Sequence, residues 1–164
     1  MSKRYAVLFV CMGNICRSPT AHGVFRQQVQ RHGLADHVAV DSAGTHNYHP
    51  NSPPDQRSQS HASLRGYDLS DLRARQIQQA DFARFDLILV MDRDNLSDVQ
   101  DICPAEHLPK VRRLTEFCQQ WSAEVVPDPY YGGPAGFDRV LDLVEDACAG
   151  LLQHVQSALR QRPT

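Results

Sequence analysis

At 164 residues, 41% of them hydrophobic, the chain suits one domain with one core flanked by helices and needs no second. A formal charge of -2 excludes a global field that would draw nucleic acid or an anionic membrane, so any anion binding has to be local. No apolar stretch reaches the roughly 20 residues that span a bilayer, and Met1 to Arg4 lead straight into a short strand without a secretory cleavage pattern, so a cytoplasmic protein is expected, with neither nucleic acid nor membrane among its partners.

The apolar run over residues 5–10, dense in strand formers, reads as the first strand. Cys11, Met12, Gly13, Asn14, Ile15, Cys16, Arg17 and Ser18 follow, then Pro19 and a helical pattern over 18–32 in which Val24, Phe25 and Val29 share a face up to Gly33. A strand, a tight loop and a helix opening on proline leave backbone N–H groups converging at a helix N-terminus, an anion site that suits phosphate. Arg17 adds a planar fork able to take two oxygens at once.

Cys11 at the head of the loop turns binding into chemistry. A free cysteine titrates near ~8.5, and neighbouring amides, a helix N-terminus and a cation lower that by several units, giving a nucleophilic thiolate. The spacing to Arg17 lets the loop wrap a tetrahedral group with sulfur beneath phosphorus and the guanidinium on the equatorial oxygens, while Ser18 is placed to donate its hydroxyl to the sulfur. Taken alone, a Cys-x5-Arg pattern is more often a tight turn around an inert cysteine.

Residues 38–41 read as a second strand, parallel to the first through a right-handed crossover. The loop over 42–55, with Gly44, Pro50, Pro53 and Pro54, then borders the crevice beside the first strand and brings Ser42, Tyr48 and Asn51 near the cysteine loop. A polar helix over 56–65 ends at Gly66, and a short helical turn follows near 80–83; the low apolar content of this region reads as a surface excursion. The continuous apolar run 85–91 is a parallel strand buried on both faces, ending at Asp92. A helix over 95–102 stops before Pro104, residues 110–114 form a shorter fourth strand, and 115–121 a helical turn. Prolines on both sides stiffen Asp128 in a turn-rich loop. The closing helix, 136–161, buries a stripe of Val140, Leu141, Val144, Cys148, Leu151, Leu152, Val155 and Leu159. The expected architecture is α/β: a single open, twisted, four-stranded parallel sheet with helices on both faces and the phosphate-binding loop after the first strand.

Cysteines at 11, 16, 103, 118 and 148 make an odd count without repeated Cys-x2-Cys pairs, which speaks against a disulfide framework and a zinc ribbon. Cys103, Cys118 and Cys148 read as small packing residues. The eight histidines are scattered without metal-ligand spacing, so neither metal nor cofactor is implied.

The run from Val10 to Pro19, together with Asp128, Pro129, Tyr130 and Tyr131, resembles the low-molecular-weight protein tyrosine phosphatases. The resemblance extends to residues 41–45, 74–77 and 90–92 and so spans nearly the whole chain. It implies one such domain over 1–164, a metal-independent hydrolase acting on phosphotyrosine-containing protein, with inorganic phosphate or other oxyanions also occupying the loop. The implied catalytic set is Cys11 as nucleophile, Arg17 on the phosphate and Asp128 as general acid, through a cysteinyl phosphate that water then hydrolyses.

By the same resemblance Met12, Gly13, Asn14, Ile15, Cys16 and Ser18 bind the substrate phosphate, and Tyr48 is an aromatic wall. Tyr130 and Tyr131 line the mouth, and in kinase-regulated members are phosphorylated. Ser42 orients Asn14, Asp92 has a structural role in preference to a helix cap, and Cys16 guards Cys11 against oxidation by trapping its sulfenic acid as a disulfide. His22 stands where many members carry an acid, and reads as a solvated first-turn residue. An arsenate reductase of the same fold needs two further cysteines close together near the third strand, which Cys103 and Cys118 do not supply. Protein-arginine phosphatases carry threonine where Ile15 stands. A phosphate-binding adaptor without turnover would not need Cys11, Arg17, Ser18 and Asp128 together.

Overall fold

The computed structural model describes residues 4–130 and 133–162. Its central strand, β1 (Tyr5–Cys11), carries no charge and is buried along its whole length, as a strand with neighbours on both edges and layers on both faces must be. β2 (Val38–Gly44) pairs with one edge of β1 and β3 (Leu87–Val90) with the other; β4 (Val111–Arg113) lies beyond β3, and all pairings are parallel. The sheet order is therefore β2-β1-β3-β4. The chain leaves β1 toward one edge and later returns to the other, so the C-terminal end of β1 is the switch point at which open parallel sheets bind ligands.

Side chains alternate along β1. Val7, Phe9 and Cys11 join a core with α1 (Arg17–Arg31) and α5 (Pro134–Gln161), whereas Ala6, Leu8 and Val10 pack with Phe82 of α3 (Gln79–Arg84), Val99 of α4 (Arg93–Ile102) and Val111. Gly33 and Gly66, both at positive φ, follow the ends of α1 and α2 (Gln56–Leu64). The expected α5 stripe is buried except at Leu159, which is half-buried near the helix end.

Among the departures from expectation, four bear on how the fold is built. β2 runs on through Ser42, Ala43 and Gly44, because β1 offers partners as far as Cys11, opposite Gly44. α1 starts at Arg17, so Pro19 is its third residue, still in the turn that lacks intrahelical N–H partners. Residues 56–84 are more than a surface excursion, since Ala62, Tyr67, Leu69, Leu72, Ile77 and Phe82 are buried. The helical turn expected over 115–121 shrinks to a 3-10 turn at Leu114–Phe117, because the N–H groups of Gln119, Gln120 and Trp121 turn to the carboxylate of Asp146 in α5. Among the described residues no helix is long and apolar enough to cross a membrane.

Candidate active site

Cys11 closes β1 at 2% exposure, and the chain turns through five residues before Arg17 opens α1. The turn is tied down on the β2 side: Thr45 N–H donates to the Cys11 carbonyl (2.9 Å), His46 N–H to that of Met12 (3.0 Å) and Asp55 N–H to that of Ile15 (2.8 Å). Asn14 sits at φ 58°, a left-handed conformation that asparagine tolerates better than most residues. Its Nδ2 donates to Ser18 Oγ (2.7 Å) and its Oδ1 accepts the Arg75 N–H (3.1 Å). Ser18 in turn presents its Oγ 3.1 Å from Cys11 Sγ and its N–H 3.4 Å from the same atom. α2 and α4 are capped by the side chains of Asp55 and Asp92, but α1 has no side-chain cap and no acid in its first turn. The positive end of its dipole is thus left to an anion in the loop.

Arg17 is 2% exposed. Its Nη1 donates to Asp92 Oδ2 (2.6 Å) and to the Val126 carbonyl (3.1 Å), and its Nη2 lies 3.8 Å from Asp128 Oδ2. Burial alone would favour loss of its proton, but Cys11 and then Asp92 and Asp128 outweigh it and hold the guanidinium more firmly charged than usual. Asp92 serves two elements, since its Oδ1 caps α4 by accepting the Asn95 N–H (2.8 Å). Asp128 is 44% exposed at the side chain and accepts the Tyr130 N–H at Oδ1 (3.0 Å).

Above Cys11 is a cavity of about 310 Å³. Met12, Gly13, Ile15, Cys16 and Arg17 line it from the loop, Tyr48 and His49 from the segment after β2, and Asp128 and Tyr130 from the segment before α5. Tyr48, 61% exposed, stacks on His46 at 4.9 Å between ring centroids, and the Arg57 guanidinium lies 5.4 Å from the Tyr130 ring centre. The profile of the family described as low molecular weight phosphotyrosine protein phosphatase matches residues 6–161. The chain belongs to that family. A low molecular weight protein-tyrosine-phosphatase of Streptomyces coelicolor is 42% identical over 161 residues, covering 96% of this chain and 98% of that protein. The human low molecular weight phosphotyrosine protein phosphatase is 40% identical over 154 residues, 90% of this chain and 94% of its own. A crystal structure of an Entamoeba histolytica protein tyrosine phosphatase, with HEPES in its active site, superposes at a TM-score of 0.91 and 41% identity, over 94% of this chain and 99% of that one.

Most residues the sequence singled out in this phosphatase meet around one cavity. Asn14 and Ser18 lie beneath it, buried, and Tyr131 falls outside the described residues. Ser42 departs from expectation. It belongs to β2 opposite Phe9, so its side chain faces α1, where its Oγ is 3.0 Å from His22 Nδ1, and Asn14 is held by Ser18 and Arg75 instead. His22 is correspondingly no solvated residue: it is 7% exposed, and burial pushes its pKa down to about 4, so it is neutral at ordinary pH. Asn51 does not line the cavity, and its N–H bonds the Ala74 carbonyl (2.9 Å). Three contributors went unread in the sequence. His49 adjoins Tyr48 in a loop already placed at the crevice, so its position was within reach; Arg57 and Arg75 act across long sequence separations that no local pattern records.

Proposed function

We propose that this phosphatase hydrolyses phosphotyrosine in a protein substrate, and small aryl phosphomonoesters with it, by two displacements at Cys11. The observation that carries the reading is the convergence on one sulfur of the Ser18 hydroxyl, the Ser18 N–H and the uncapped start of α1, in a cavity that Arg17 and Asp128 both line. In the first step the Cys11 thiolate attacks phosphorus. The S–P bond forms as the P–O bond to the phenol breaks, and Asp128 gives the departing oxygen its proton. In the second, the Asp128 carboxylate takes a proton from water, which attacks phosphorus. The S–P bond then breaks, and the released thiolate is received by the two Ser18 donors. Arg17 and the loop amides hold the three equatorial oxygens over which the charge is spread in each in-line transition state.

The reading includes one domain over residues 1–164, acting in the cytoplasm, with inorganic phosphate and other oxyanions occupying the loop as product or competitors. Tyr48 and Tyr130 suit a flat aryl group, and Ile15, where protein-arginine phosphatases carry threonine, favours the aryl ester over phosphoarginine. The test is steady-state hydrolysis of para-nitrophenyl phosphate and of a phosphotyrosine peptide, in the presence of a chelator, by wild type and Cys11→Ser. Wild type should turn over both and Cys11→Ser neither, while the variant still binds phosphate; appreciable turnover by Cys11→Ser would falsify the mechanism.

A further inference from the structure

The donor set on the sulfur depends on which way round the Asn14 amide sits. Ser18 Oγ accepts from Asn14 Nδ2, so the hydroxyl proton is left for Cys11 Sγ at 3.1 Å or the Ala43 carbonyl at 3.5 Å, and the shorter contact is the sulfur. With the amide reversed, Asn14 Oδ1 would demand that same proton and the sulfur would lose a donor. What opposes the reversal is the Arg75 N–H on Oδ1.

The backbone of Arg75 is in turn stapled by its own side chain. Nη1 donates to Asp81 Oδ2 (3.0 Å), and Nη2 donates to Asp81 Oδ1 and to Asp41 Oδ2 (3.1 Å each). Asp81 belongs to α3 and is 5% exposed, with Oδ2 also accepting the Gln78 N–H (2.7 Å); Asp41 belongs to β2. One planar fork thereby fixes the 74–78 segment to a helix on one side and a strand on the other, a geometry that a lysine ammonium cannot reproduce.

We propose that Arg75 is a positioning residue for the nucleophile: clamped between Asp41 and Asp81, it holds its N–H on Asn14, which turns the Ser18 hydroxyl toward Cys11 Sγ and supports the thiolate. The inference rests on the reading of Cys11 as nucleophile. The charged and titratable groups around Cys11 are Arg17 and Cys16 of its own loop, Tyr48 and His49 after β2, Asp92 after β3, and Asp128 and Tyr130 before α5. The Arg75 guanidinium is bonded elsewhere, so its substitution leaves them in place.

The experiment is alkylation of Cys11 by iodoacetamide in the full chain, followed by mass spectrometry of the Cys11 peptide from pH 5 to 9. The variants are Arg75→Met, Arg75→Lys, Asn14→Ala and the double variant Asn14→Ala with Arg75→Met. Arg75→Met should move the profile toward higher pH and slow alkylation about tenfold at the acid end, with Arg75→Lys intermediate. The double variant should be no worse than Asn14→Ala alone, because both changes break one chain of contacts. An unmoved profile in Arg75→Met, or additive losses in the double variant, overturns the proposal and leaves Arg75 a stabilising clamp. Should Arg75→Met not fold, as judged by circular dichroism, Asp41→Asn is read in the same way: a shift in the same direction supports the clamp and an unmoved profile overturns it. Alkylation does not depend on turnover, so activity retained by Cys11→Ser would sink the catalytic reading without deciding this one.

Discussion

Arg17 and Asp128 reach the cavity from distant parts of the sequence, and the 3.8 Å between them is the contact through which the proposed phosphate holder meets the proposed acid. Asp128→Asn keeps that shape and the acceptor for Tyr130 N–H but removes the transferable proton. Turnover of phosphotyrosine is expected to fall by roughly 10² to 10³-fold, and of an ester whose phenolate leaves without protonation by much less. Equal losses on the two substrates would reduce Asp128 to a residue that shapes its loop. Cys16 lines the same cavity, and burial pushes its thiol up to about 12, which keeps it protonated; we propose that it guards Cys11 against peroxide. On this proposal Cys11 would be oxidised to a sulfenic acid, and condensation with the Cys16 thiol would form the S–S bond and release water. After peroxide treatment, dithiothreitol should restore most wild-type activity and much less of Cys16→Ser; equal recovery would leave Cys16 as packing beneath the loop.

At the scale of elements, the loop is shaped as much by β2 as by its own sequence. A Cβ on Gly44 would lie 2.7 Å from the Met12 carbonyl oxygen, 3.1 Å from that of His46 and 3.2 Å from the Gly13 carbonyl carbon, all backbone atoms with little freedom to yield. Gly44→Ala is therefore expected to fold, since β2 keeps its pairing, yet to displace residues 12 and 13 and lower kcat/KM by about 10²-fold, the cost of a misplacement near 1 Å. Near-normal kcat/KM with an unchanged melting temperature would show that the loop adapts. This dependence also explains what the sequence disclosed. β1, the loop and, to within one residue, the start of α1 were legible because one unbroken stretch carries the strand formers, the cysteine, the guanidinium and the helix opening. The end of β2 was not, because Ser42, Ala43 and Gly44 have weak strand preference and are extended by pairing with Phe9, Val10 and Cys11. The mistaken link from Ser42 to Asn14 follows from that: read as loop, residue 42 was free to face the crevice, whereas strand alternation turns it to His22.

For the molecule as a whole, the buried His22 ties stability to pH. Its ring is enclosed between α1 and β2 against Ser42, and burial lowers its pKa from the ordinary 6.5 to about 4, with Asp41 opposing the shift and Arg26 adding to it. Between those two values the unfolded chain binds a proton that the native state refuses, so stability rises with pH through this window. It is level above about 6.5 and falls progressively toward 4, for a total of about 3 kcal/mol at roughly 1.4 kcal/mol per pH unit. Asp146, in spite of its burial, is held below the carboxylate value of 3.8 by the N–H groups of Trp121, Gln119 and Gln120, so its loss begins at more acid pH. His154, exposed yet also lowered, by partial desolvation and by Arg112, titrates in the same direction and makes the wild-type curve alone ambiguous. Urea unfolding of wild type and His22→Gln at pH 7, 5.5 and 4.5 separates the two. The glutamine should cost some stability at pH 7, where it replaces a packed neutral ring, yet lose less on acidification, so that the gap between the proteins narrows by about 2 kcal/mol toward pH 4.5. A gap that stays constant would mean that His22 is protonated as readily in the folded protein as in the unfolded chain, and that its contact with Ser42 belongs to an open pocket.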